Sequence, residues 1–412
     1  MTVQSNTSRL RDMAELFRQP ESIAFAVLIS LATWASVMAP RVLGAVMPVA
    51  AVVALIGATR LRQRMRLPAM DNEVWLIWGL VVSLVGASAF WSPDIGYGVE
   101  RAVKIATSLA MGIFLFFLAG ELKEAHRLRL RHLLATSFAF GLGLLVVHMV
   151  TESALLKWLT DDQTLDVSTM GGNRAAVVTS LLMWPTVMAL LELGWTKRAF
   201  ILPFVTLGVV IVTDSQTAPV VVIAGMIVYG TARLVPRLTI YLVGVIGVAF
   251  LVGMPFFFQQ ACPALLAHDY SSVADTVGAR IEIWCAVSAE IPRDWFLGHG
   301  IEAARFYTDW IMPHLYFKGE GIMHPHNGAL QIWYEFGLIG ILLASVIWIM
   351  VVRRIALLGP GARAICFAAL SSVAVVSYIS HGLWQSWWLG AVGIVPTMLR
   401  MVSGRVWFSA RD

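Results

Sequence analysis

A chain of 412 residues that is 58% hydrophobic and only 13% charged, with a mean hydropathy of +0.75, has too little polar surface to cover a water-soluble domain of its size. Its 30 Lys and Arg against 25 Asp and Glu give a net charge of +5, too small and too dispersed a surplus to indicate nucleic-acid binding. Apolar runs able to cross about 30 Å of hydrocarbon recur along the chain, and without the alternating pattern of a membrane barrel they must be helices.

The polar first twenty residues carry Arg9, Arg11 and Arg18 and lead into an apolar stretch without a small-residue cleavage site, which predicts an uncleaved first helix. Twelve apolar segments follow, near 22–39, 41–59, 73–91, 99–119, 133–150, 174–192, 199–213, 219–233, 238–255, 327–352, 362–380 and 386–402. The fold class expected is therefore an all-α membrane protein of about twelve transmembrane helices. Its parts are helices one to nine in 1–255, a large periplasmic loop with short helices in 256–326, and helices ten to twelve in 327–412. The seventh and eighth segments are short enough to suit a hairpin that does not cross fully. With both termini cytoplasmic, 21 of the 30 basic residues fall on the inner side, and that asymmetry sets the orientation. The basic runs, such as Lys123 with Arg127, Arg129 and Arg131, need no partner beyond anionic lipid heads.

In the long loop, Ser272 and Asp275 have capping-box spacing, and Val273, Val277, Ile281 and Trp284 recur at helical intervals before Pro292. That predicts a helix near 273–290 with Arg280 and Trp284 on one face. Cys262 and Cys285 fall on the oxidising side and could pair, although the reading favours free buried thiols. Arg293, His299, Arg305, His314 and Lys318 share the loop, as residues more often solvated or ion-paired than in contact with substrate. Asp161, Asp162 and Asp166 read as a solvated turn, and His381 with Trp384, Trp387 and Trp388 as part of an interfacial belt or, second, a sugar platform.

Four polar places fall on the outer side: Gly171-Gly172-Asn173-Arg174, Asp214-Ser215-Gln216-Thr217, the Arg280 helix and His324-Pro325-His326-Asn327. A histidine at a helix start, neutral near physiological pH, can take a proton from a sugar hydroxyl, although it can equally satisfy a turn. Asn327 would cap that helix. Glu335, eight residues further, would lie roughly 12 Å deeper in the bilayer, where a carboxylate needs a partner or water.

The run His326-Asn327-x-x-Leu330-x-x-x-x-Glu335-x-Gly337-x-x-Gly340 resembles the hallmark of the O-antigen ligase and polymerase superfamily. Arg280-x-x-x-Trp284, followed by Pro292 and Gly298-x-Gly300, is similar to that family's loop, and Asn173-Arg174 to its earlier outward motif. The resemblance implies a GT-C-like inverting glycosyltransferase that needs no metal, cofactor or nucleotide sugar. It implies transfer of O-antigen from undecaprenyl diphosphate to a sugar hydroxyl of the lipid A core in the bacterial inner membrane, facing the periplasm. His326 would be the base, and Arg280, Arg174, Gln216, Ser215 and Arg305 would hold the diphosphate, with Asn327, Glu335, Asn173 and Trp284 in support. Where many relatives carry Arg after the Ser of the short outward turn, this chain has Ser215-Gln216, so Gln216 is open between diphosphate contact and turn chemistry. An O-antigen polymerase is the nearest rival reading, and a lipid or glycan transporter the rival from another class.

Overall fold

The computed structural model describes residues 20–60, 71–152, 154, 157, 158, 171–270, 275–319 and 321–403. All regular structure among them is helical, and a helix stands at each of the twelve apolar segments. They are α1 (Pro20–Ser30, continued by a π-turn Leu31–Ala35), α2 (Leu43–Arg60), α3 (Asn72–Ser88), α4 (Ile95–Gly120), α5 (Glu124–Val150), α6 (Gly171–Glu192), α7 (Thr196–Ile211), α8 (Thr217–Leu234) and α9 (Pro236–Leu266). After the loop helix α10 (Asp275–Glu290) come α11 (Gly328–Ala356), α12 (Pro360–Ile379) and α13 (Ser386–Val402). Among the described residues eight helices are long and apolar enough to cross a membrane by length and composition: α3 to α6, α8, α9, α11 and α12. That makes the chain a multi-pass all-α membrane protein. The expected short eighth segment is one of the eight; the seventh, α7, stops at 16 residues.

The centre of the bundle is α6, with 89% of its apolar window buried. A helix that is apolar on every side belongs in the middle of the packing. Between its first turn, Gly171-Gly172-Asn173-Arg174, which opens at one end of the bundle, and its terminal Glu192 it carries no charge, and its buried polar residues are the hydroxyls Thr179, Ser180 and Thr186. At the opposite end the buried Arg127 guanidinium donates to the carbonyls of Ala119, Gly120, Leu122, Arg400 and Met401 at 2.8–3.0 Å. It thereby satisfies the orphan carbonyls that end α4 and α13. Beside it Arg131 donates to Val402 O at 2.7 Å and pairs with Glu124 and Glu192. Two residues expected to touch lipid heads are thus internal fastenings, and sequence could not show this because the carbonyls of Arg400, Met401 and Val402 that they hold lie some 270 positions away.

The long loop begins later than expected, because α9 continues to Leu266 through Pro255 and Pro263. Its last turns run beside α10, and Cys262 and Cys285 form a disulfide between them. This corrects the expectation of free thiols: packing of the two helix ends brings the cysteine Cα atoms to 5.7 Å, within bonding reach. The loop helix itself occupies Asp275–Glu290, close to expectation, and ends in a tight turn containing Pro292. The capping residue Ser272 and the cluster Asp161, Asp162 and Asp166 lie outside the described residues. Glu282 of α10 accepts from the amides of Leu315, Tyr316 and Phe317, so one buried carboxylate gathers the loop's return against the helix.

The tenth apolar segment is not one continuous helix. At Gly337 the backbone turns to φ 56°, ψ −149°, interrupting the ladder of α11. Loop residues 295–300 fill the break: His299 and Gly300 donate to the carbonyls of Tyr334 and Glu335, and Leu338 and Ile339 donate to those of Trp295 and Phe296. Irregular backbone at membrane depth survives only where protein groups satisfy it. Here the loop supplies them.

Candidate active site

The four polar places meet at one end of the bundle. Asn327 sits at the N-cap of α11, its side chain accepting from Leu330 N at 3.1 Å. That cap starts the helix directly after His326, whose φ of 56° is strained for a residue with a Cβ. His326 Nδ1 lies 2.7 Å from the carbonyl of Ser380, at the end of α12. A carbonyl can only accept, so Nδ1 carries the proton and Nε2 keeps its lone pair.

Ser380 ties in the next element, its hydroxyl accepting from Thr217 at 3.2 Å. Two residues earlier on that turn, Ser215 caps α8 by accepting from Ala218 N at 3.1 Å, and its hydroxyl donates to Asn173 Oδ1 at 2.6 Å. Gln216 accepts from Thr276 of α10 at 3.1 Å, tying the loop helix to the turn. The first turns of α6, α8, α10 and α11 and the end of α12 are therefore stitched together by short polar side chains.

Charge in this assembly is one-sided. Neither Arg174 nor Arg280 has a carboxylate partner among the described residues. Arg174 lies over the ring of Trp387 at 5.8 Å, and the Trp387 ring meets His381 edge-on at 4.6 Å. Burial lowers Arg280 from its ordinary range, yet a guanidinium keeps its charge there. His326 is likewise pushed down, first by burial and then by the Arg280 charge, with the Ser380 hydrogen bond opposing. His381 is driven well down by burial and by the charges around it, those of Arg174 and Arg280 among them. Its Nε2 is buried without a partner. His324 is pushed down to about 3, by burial foremost and then by His326, Arg305 and Arg174. Three imidazoles held neutral beside unpaired guanidiniums form a place suited to an anion, with a free nitrogen lone pair next to it.

Glu335, only 1% exposed, has the network role expected of a buried carboxylate. One oxygen accepts from Gln331 Nε2 at 2.8 Å and the other from Trp384 Nε1 at 2.5 Å, while Gln331 Oε1 accepts from Leu383 N. The loop between α12 and α13 is thus held to α11, and with it Ser380 and His381.

Other expected residues are engaged by partners of their own. Arg305 pairs with Glu302 at 3.5 Å, and Arg101, which sequence reasoning passed over, pairs with the same carboxylate at 2.9 Å. Both guanidiniums also lie over Tyr97. Two cations share one carboxylate there, so Arg305 supplies less free charge than expected. Trp284 packs against Phe258 at 5.3 Å, buttressing the Arg280 helix from within. Trp387 and Trp388 are buried, forming neither an interfacial belt nor an open platform, because α13 turns them inward, Trp387 against Arg174 and His381 and Trp388 beside Trp387. Arg293 pairs with Glu290, and Lys318 donates to the carbonyls of His314 and Leu315. In the sequence His324 stands in the motif's own polar run and His381 with the late tryptophans; the signal that brings the two together is long-range packing.

Residues 201–345, which include Ser215, Gln216, Arg280, His326 and Glu335, match the model of the family described as O-antigen ligase. The chain is similar to the O-antigen ligases. It is 25% identical over 236 residues to a protein of Rickettsia typhi provisionally named a polysaccharide ligase, covering 56% of this chain and 58% of that one. Counterparts with the same provisional name in Rickettsia prowazekii and Rickettsia felis are 24% and 23% identical over similar lengths. The chain thus spans a little over half the length of the curated relatives it matches. The O-antigen ligase match stops short of Arg174 and His381, which join the site only through the fold.

Proposed function

We propose that this chain is an O-antigen ligase, an inverting membrane glycosyltransferase that moves a polysaccharide from undecaprenyl diphosphate to a sugar hydroxyl of the lipid A core. The observation that carries the reading is the pairing of a neutral imidazole, its Nε2 lone pair free, with the guanidiniums of Arg174 and Arg280, which no carboxylate among the described residues neutralises. In the reaction the acceptor hydroxyl gives its proton to His326 Nε2 while its oxygen bonds the anomeric carbon from behind. The bond from that carbon to the diphosphate oxygen breaks, its electron pair leaves with the diphosphate, and Arg174 and Arg280 hold the charge. The proton then passes from the imidazolium to water. Asn327 and Ser380 orient the base, and Ser215, Asn173 and Gln216 hold the helix starts that carry the cations. Attack opposite the leaving group inverts the anomeric centre.

Twelve crossings of the inner membrane, with a GT-C-like arrangement and both termini cytoplasmic, fit this scheme, and the 21 of 30 basic residues assigned to the inner side support it. The site then faces the periplasm, where a disulfide is stable.

Purified protein reconstituted with a lipid-diphosphate-linked glycan and lipid A core, in the presence of a chelator, tests the reading. Glycan on the core supports it. Longer lipid-linked chains without core product identify a polymerase instead, and His326→Ala with undiminished transfer removes the base. The expected loss in His326→Ala is about a hundred- to ten-thousand-fold, with donor binding retained.

A further inference from the structure

A second imidazole stands beside the first. The rings of His324 and His326 are 4.3 Å apart, centre to centre, and tilted by 45°. Their hydrogen-bond partners assign them opposite roles. Trp387 Nε1, a donor only, points at Gln385 Oε1 at 2.6 Å, which fixes the Gln385 amide so that its Nε2 faces His324 Nε2 at 3.0 Å. His324 Nε2 must therefore accept, and the ring proton resides on Nδ1. No described residue accepts from that Nδ1–H. The structure so places a base with a free lone pair and an imidazole N–H with no acceptor side by side. A hydroxyl is the group that needs both, an acceptor for its hydrogen and a donor for its oxygen.

We propose that His324 is a further substrate-binding residue of this site, its Nδ1–H holding the oxygen of the acceptor sugar hydroxyl whose proton His326 removes. The inference rests on the glycosyl-transfer reading above and assigns the acceptor, rather than the diphosphate donor, to this imidazole. His324 is no second base, because its remaining nitrogen is engaged by Gln385 and the ring is held neutral far below working pH. Nor is the ring merely packing: Gly382 leaves it room, since a Cβ there would lie 2.7 Å from His324 Cγ, so the chain accommodates an imidazole at a cost in backbone freedom.

The test is the rate of transfer at saturating donor as the lipid A core concentration is varied, beside binding of a labelled lipid diphosphate without acceptor. His324→Ala should raise the acceptor KM about tenfold, the worth of one hydrogen bond, and leave donor affinity unchanged. His324→Asn, whose amide N–H takes the place of Nδ1–H, should restore most of the loss, whereas His324→Gln, which reaches to the Nε2 position, should not. Gln385→Glu gives a second route that leaves the ring in place: a carboxylate there draws the proton to Nε2, reverses the tautomer and should raise the same KM. An unchanged acceptor KM in His324→Ala, or equal impairment of the Asn and Gln variants, overturns the assignment. A wild-type protein that transfers glycan to no hydroxyl overturns the functional reading and this inference together; one that transfers normally leaves the His324 variants to decide the inference alone.

Discussion

The backbone of Gly337 lies so close to that of Phe296 that a Cβ on the glycine would fall 2.5 Å from the Phe296 carbonyl carbon and oxygen. Gly298 makes the reciprocal approach, its missing Cβ 2.4 Å from the carbonyl carbon of Glu335. Both have positive φ, so the two glycines are required by conformation and by space at once. The motif Gly298-x-Gly300 and the break at Gly337 are two halves of one joint, and that joint sets where Glu335 sits.

Gly337→Ala should therefore destabilise the folded protein by at least the 1–3 kcal/mol of a strained backbone position, with the clash adding to it. Thermal unfolding in detergent would show a midpoint several degrees lower. Gly208→Ala in α7, where a Cβ meets nothing within 4 Å, is the control and should hold or gain stability. Equal midpoints for the two variants would refute the joint.

The pH dependence of transfer follows from His326. Its neutral form is the active one, and burial with the Arg280 charge lowers its pKa. Activity is therefore retained as pH falls past the ordinary imidazole value of about 6.5, and is lost only on passing through the lowered pKa. Arg280→Gln removes one of the two influences that depress it, so the acidic limb of kcat/KM should move upward toward 6.5, together with weaker donor binding. A limb that stays in place in that variant would separate Arg280 from the base.

How much of this was legible in the sequence depended on distance along the chain. His326-Asn327 was readable because cap and base are adjacent, and the α10 helix because its periodicity is local. The twelve segments were readable from hydropathy, though not the break in α11, whose cause lies about 40 residues upstream in a loop. Arg305 looked like a free cation although Glu302 stands only three residues before it, and nothing in the sequence reveals that Arg101, some 200 positions upstream, shares that carboxylate. Cys262 and Cys285 failed for a related reason: pairing depends on how far α9 extends, and its apolar window ends before its helix does.

The disulfide bears on function through α10. Cys285 lies on the helix that carries Arg280 and Thr276, and the bond fixes that helix to the end of α9. Replacing both cysteines by serine should cost about 2–4 kcal/mol of stability and weaken binding of the lipid diphosphate, since Arg280 would be held less firmly. Alkylation mass shifts before and after reduction would establish the bond, and donor affinity with and without reductant would measure its effect. Donor affinity unchanged on reduction would confine the bond to stability.

Glu335 carries the final prediction. Each of its side-chain oxygens faces a group that can only donate, the Gln331 amide N–H and the Trp384 indole N–H. Glu335→Gln must turn its own NH2 toward one of them, leaving a buried donor opposite another donor at a cost of about 1–3 kcal/mol. The lost contact releases either Trp384 directly or Leu383 through Gln331, and both lie on the loop that follows Ser380, the residue orienting His326. Transfer should fall about tenfold while lipid-diphosphate binding stays near the wild-type value, because Arg174 and Arg280 are held by other elements. Loss of donor binding in step with transfer would mean that the carboxylate supports the whole pocket, and full activity would show that the loop keeps its place without it.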